Sequence, residues 1–139
     1  MRFEVSLVVR TSRNRAYAAY TDFEAMPKWS KQMRAVTVTR NEGGRVTIGI
    51  TMASGKRASR DIRLVTPARV ESDGETRFTL AKSTVEFEET TGGTRVTALL
   101  EVRFKGHWGW ILKTRGKMEA EASAMEELEA FAKYAESTL

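Results

Sequence analysis

The stretch WGWILKTRGKMEAEASAMEELEAFAKYAES, Trp108 to Ser137, decides how the rest of the chain is read. Ala, Met, Leu, Glu and Lys dominate it and no proline interrupts it, so it predicts one long C-terminal helix. At roughly 100° per residue, Ile111, Met118, Ala122, Met125, Leu128, Phe131, Ala132 and Ala135 fall on one broad apolar face. Glu119, Ser123, Glu126 and Lys133 fall on the other. Such a stripe must be covered by another layer. Glu121 falls within the apolar arc, where a carboxylate needs a partner or a wet cavity. A helix turned slightly from this register would instead take it to solvent. Gly116, inside the helix, costs about 1 kcal/mol relative to Ala.

Everything upstream, apart from one short region, alternates like strands. Phe3, Val5, Leu7 and Val9 share one face of a first strand. Thr11 or Ser12 then supplies an N-cap for a short helix over Asn14 to Thr21, with Tyr17 and Tyr20 inward. A second short turn starts at Asp22-Phe23-Glu24 and ends near Pro27. Strands over Ala35–Thr39 and Arg45–Met52 flank the turn Asn41-Glu42-Gly43-Gly44. Ser54-Gly55 leads into Lys56–Val65, where Arg60 shares a face with Ala58, Ile62 and Leu64. Ala68 to Leu80 carries one short strand or two around Asp73-Gly74. Ser83–Thr90 alternates again, and Thr91-Gly92-Gly93 turns into Thr94–Phe104. The order is strand, two short helices, about six strands, long helix: an α+β chain in which a curved antiparallel sheet wraps one helix.

Bulk properties narrow the function classes. At 139 residues the chain is read as a single domain, residues 1 to 139, large enough for a core plus a cavity. It has no run of membrane-spanning length and no signal-peptide pattern at Met1-Arg2-Phe3-Glu4-Val5, so a cytoplasmic location is expected. The absence of cysteine removes disulfides, thiolate metal sites and cysteine nucleophiles. His107 is the sole histidine, in a Gly-rich turn, which removes polyimidazole metal centres and Ser-His-Asp arrangements. No metal, cofactor or catalytic residue is expected. The net charge of +5 is scattered through the strands as a solvated face would be, so no nucleic-acid partner is expected.

Three local signals carry a family resemblance. Tyr17 to Trp29 (YAAYTDFEAMPKW) is similar to an aromatic-rich helix, a "TDFE" turn and a "PxW" element. Gly92-Gly93-Thr94-Arg95-Val96 is similar to a "GGTRV" lead-in to a last strand, and the closing helix is the third. In this order, over essentially the whole chain, they resemble the START-like or SRPBCC superfamily, the helix-grip fold of polyketide cyclases and lipid-transfer proteins. The resemblance implies a seven-stranded antiparallel sheet gripping the C-terminal helix, two short helices after the first strand, and a cavity for a largely apolar molecule.

The cavity expected from one-sided alternation is lined by Val46, Ile48, Ile50, Ile62, Leu100, Val102 and Met118. Arg60 and Glu121 are expected to meet inside it, as a pair that orients the polar end of a ligand. The first functional reading is binding or transport of a hydrophobic, lipid- or polyketide-like molecule. A cyclase- or dehydratase-like enzyme is the alternative, its acid–base groups being Glu121, Arg60 and Tyr17 or Tyr20. The superfamily's aromatase/cyclases place several polar groups in the cavity. Here Ile62, Leu64 and Met33 keep the comparable positions apolar, which argues against turnover. A protein-interaction module with a filled core is the third reading. Trp108 and Trp110, interleaved with Lys113 and Arg115, suit transient docking on an anionic membrane surface.

Overall fold

The computed structural model describes residues 1–75, 79–104 and 115–137. Seven strands form one antiparallel sheet in the order β1-β7-β6-β5-β4-β3-β2. They are β1 (Arg2–Val9), β2 (Met33–Glu42), β3 (Arg45–Met52), β4 (Arg57–Val65), β5 (Arg69–Glu75), β6 (Thr79–Thr90) and β7 (Gly93–Phe104). Between β1 and β2 lie helix α1 (Arg13–Thr21) and a 3-10 helix (Phe23–Lys28); α2 (Arg115–Ser137) closes the described chain. None of the described helices is long and apolar enough to cross a membrane.

The strands follow their alternation apart from β2, where two register shifts interrupt it. Val46, Ile48 and Ile50 on β3, Ile62 on β4, Val70 on β5 and Val85 and Phe87 on β6 are buried, while their neighbours point to solvent. The outer face carries charge across the strands, including the Arg63–Glu71 ion pair at 3.1 Å. Gly74 does not divide a strand. It lies within β5, paired with Arg60 of β4 and Ala81 of β6, so the Asp73-Gly74 turn considered from sequence does not exist.

The two short helices plug one end of the sheet. Ser12 caps α1, its hydroxyl accepting from the Arg15 amide at 3.3 Å. Tyr17 of α1 stacks edge-on against Phe87 of β6 at 5.5 Å, and its hydroxyl meets Thr66 Oγ1 at 3.1 Å. The 3-10 helix lies against β2, where Glu24 accepts from the Val38 amide at 3.3 Å and occupies an edge donor.

Helix α2 keeps the expected face in its C-terminal half and departs from it in its N-terminal half. Leu128, Phe131, Ala132 and Ala135 are buried as predicted, but Met118 is 71% exposed and Ala122 is exposed. Ala120, Ala124 and Glu127 turn inward instead. Aromatic packing sets this rotation: Phe131 is fully buried with Tyr20 and Trp29 rings each 5.3 Å away. The Arg10 amide donates to Glu136 Oε1 at 3.0 Å, joining the end of β1 to the end of α2. The start of the expected helix, together with His107, Trp108, Trp110 and Lys113, lies outside the described residues, and the Arg115 side chain is also outside them.

Candidate functional site

Between the inner face of the sheet and α2 lies a solvent-connected cleft of about 300 Å³. The sheet contributes Phe3 of β1, Ser83 and Val85 of β6, and Ala98 and Leu100 of β7. The helix contributes Ala120, Ser123, Ala124, Glu127, Leu128 and Phe131. Tyr20, Trp29 and Gln32 close one end, and Arg60 reaches in from β4. Small residues at 98, 120 and 124 make the space, because alanines at facing positions leave sheet and helix short of contact.

Strand alternation explains how Arg60 arrives there. It stands on the same face as Ile62, so its side chain must run along the inner surface. Its register partner Gly74 has no side chain to block it. A methyl group at Gly74 would sit 3.7 Å from Arg60 Cγ and 3.9 Å from Nε, so the arginine stem passes directly over β5. Among the described residues the guanidinium has no hydrogen bond or ion pair.

Tyr20 lies within the fields of Arg60 and Glu127. Burial pushes its phenol up to about 12, the Arg60 guanidinium pulls against that shift, and the Glu127 carboxylate adds to it. The hydroxyl therefore keeps its proton at neutral pH and is available as a hydrogen-bond donor. Trp29 is 9% exposed, and its indole Nε1–H is buried with no acceptor. Two side-chain bonds tie the 3-10 helix and β2 region to α2 beside this end of the cleft, Ser30 to Glu127 and Gln32 to Ser123.

The sequence-predicted site residues divide into three groups. Arg60 and Leu100 line the cleft. Val46, Ile48, Ile50 and Ile62 are buried in the closed core toward β3, and Val102 is half-buried near the end of β7, none of them lining the cleft. Met118 and Glu121 are corrections. Met118 points to solvent, and the Glu121 side chain is 43% exposed, 4.0 Å from Lys117 one turn earlier. The expected Arg60–Glu121 pair does not form; the rotated helix brings Glu127 to the cleft in its place. Tyr17, offered from sequence as an acid–base group, is bonded to Thr66 and does not line the cleft.

Several residues at this site were missed in the sequence. Trp29 and Gln32 follow a proline, where no periodicity says which way a side chain turns. Ala124 was not placed on the helix's apolar face, and its facing Ala98 of β7 is what makes space. Glu127 follows Glu126 and reads as solvated surface, although its spacing to Phe131 places both on one helical face. No group of three or more potential metal-ligating side chains occurs among the described residues.

No curated protein matches the chain in sequence. Solved structures with the same architecture are numerous. TTHA0849 from Thermus thermophilus superposes with a TM-score of 0.85 at 17% identity, covering 99% of each chain. The Zhui aromatase/cyclase from Streptomyces sp. R1128 superposes with a TM-score of 0.82 at 11% identity, covering 98% of this chain and 93% of that one. The di-domain aromatase/cyclase StfQ of the steffimycin biosynthetic pathway gives 0.82 at 14% identity, this chain spanning 51% of its length. At these identities the likeness establishes the helix-grip fold. Family and fold together support a role in binding hydrophobic small molecules. Residues 1–136 match the family described as polyketide cyclase / dehydrase and lipid transport, and the chain belongs to it.

Proposed function

We propose that the protein binds or transports a hydrophobic small molecule, lipid- or polyketide-like, in the cleft between the sheet and α2. The observation that carries this reading is the apolar lining supplied by both layers. Phe3, Val85, Ala98 and Leu100 face Ala120, Ala124, Leu128 and Phe131 across about 300 Å³. That volume lies at the lower end of the range for small-molecule sites, with a few polar groups set into an apolar wall.

The alternative, a cyclase- or dehydratase-like enzyme, would draw its chemistry from Tyr20 and Arg60. A phenol held near 12 stays protonated at neutral pH, and Glu127, the carboxylate of the cleft, is engaged by the Ser30 hydroxyl. Binding is therefore the better-supported reading, and a turnover assay with polyketide-like substrates separates the two. Docking on an anionic membrane through Trp108, Trp110, Lys113 and Arg115 is a further part of the proposal, tested by sedimentation with anionic vesicles.

The direct test uses Nile red, a neutral apolar dye, and the variant Ala98→Trp, which fills the cleft from β7. The wild type should bind the dye and the variant should lose roughly tenfold or more in affinity, about 1.4 kcal/mol, with unchanged circular dichroism. Equal binding by both folded proteins would overturn the reading. Native mass spectrometry of freshly purified protein looks independently for a copurified ligand.

A further inference from the structure

The polar atoms of the cleft are unequally divided between donors and acceptors. Arg60 presents a guanidinium with no partner among the described residues. Tyr20 and Ser83 add hydroxyls that make no hydrogen bond among the described residues. The charged acceptor is Glu127, and it already accepts from Ser30. A half-buried guanidinium without a protein partner is costly. That deficit is relieved by a group that brings negative charge and several lone pairs.

We infer that the ligand is an amphipathic monocarboxylate, its carboxylate received by Arg60 with Tyr20 as an additional donor, and its apolar body lying along Ala98, Leu100 and Ala124. This inference rests on the hydrophobic-ligand reading above and narrows it. A planar guanidinium matches a carboxylate with two parallel hydrogen bonds. The path of Arg60 over Gly74 carries that fork across β5 toward Ser83, into the interior of the cleft. Glu127 also lines the outer groove on the far side of Trp29, with Lys28, Lys31 and Lys133, so its charge lies toward the cleft's rim. Its repulsion directs the anionic end away from α2 and toward β4. A neutral lipid would leave Arg60 without a charged partner.

The test compares dodecanoate with methyl dodecanoate as competitors of Nile red. The two differ in charge and hydrogen-bonding capacity while sharing the same chain. Dodecanoate should compete roughly tenfold or more better than the ester, as expected for hydrogen bonds to a charged group. Arg60→Met should abolish that preference, bringing the acid-to-ester competition ratio to about one. Arg60→Lys should retain part of it, and Glu127→Gln should raise the acid-to-ester ratio. Retained dye binding in each variant reports an intact fold. Equal competition by acid and ester, or failure of both to compete while the dye still binds in a manner sensitive to Ala98→Trp, overturns the inference and leaves the broader reading standing. Loss of that dye binding in the wild type overturns both.

Discussion

At Gly93, the first residue of β7, the backbone passes the end of β1 too closely for any side chain. A Cβ there would lie 2.1 Å from the Val9 carbonyl oxygen, and φ is +150°. Next to it, Thr94 is fully buried and its hydroxyl donates to the Thr11 carbonyl at 2.8 Å, so the chain must hold this approach. Gly93→Ala should therefore destabilise by about 2 kcal/mol or more, through both the clash and the backbone strain, measured by urea unfolding. Tyr20 gives a second residue-scale prediction. The folded chain retains the phenolic proton up to about 12, whereas the unfolded chain releases it near 10.0. Between those values the unfolded state binds fewer protons, so stability falls as pH rises. Below pH 10 the contribution is complete. A spectrophotometric titration should show one phenol ionising late, and Tyr20→Phe should remove that step.

For α2, the element is defined by rotation rather than by length. Two apolar arcs could be drawn on its sequence, one including Met118 and Ala122, the other Ala120, Ala124 and Glu127. The second forms because Phe131 packs between Tyr20 and Trp29. Those rings belong to α1 and the residue ending the 3-10 helix, elements joined to α2 only in three dimensions. Phe131→Ala should cost about 3–5 kcal/mol, as expected for a fully buried aromatic residue. Met118→Ser should change stability by less than about 0.5 kcal/mol, as for an exposed site. Denaturant midpoints for the two variants measure the contrast directly. Similar losses would mean that the helix buries the face centred on Met118.

In the whole molecule, the sheet's inner surface serves two purposes at different positions. Toward β3 and β4 it is closed core, with Ile48 and Ile50 almost fully buried. Toward β6 and β7 the small side chains leave the cleft open against α2. Stability and ligand affinity should therefore respond to different substitutions. Ile48→Ala should cost about 2–5 kcal/mol in unfolding while leaving the Nile red affinity of the folded protein unchanged. Ala98→Trp should do the reverse. Equal effects of Ile48→Ala on both measurements would show that core and cleft are one space.

The fold was legible in the sequence because its signals are local and repeated. Alternation along β3, β6 and β7, Gly-Gly turns between strands and a long run of helix formers each depend on neighbouring residues, and the described residues hold the seven strands, the two short helices and the closing helix from Arg115 onward. Strand pairing also fixed which side chains face inward, since a period of two leaves only two choices. What the sequence by itself determined was therefore the element order and the inward faces of the strands. The tertiary structure decided the rotation of α2, which exchanged Glu121 for Glu127, and the division of the inner face into core and cleft. A helix admits many rotations that differ by small angles. Packing against Tyr20 and Trp29 selects among them, and those contacts exist only once residues about a hundred positions apart are brought together.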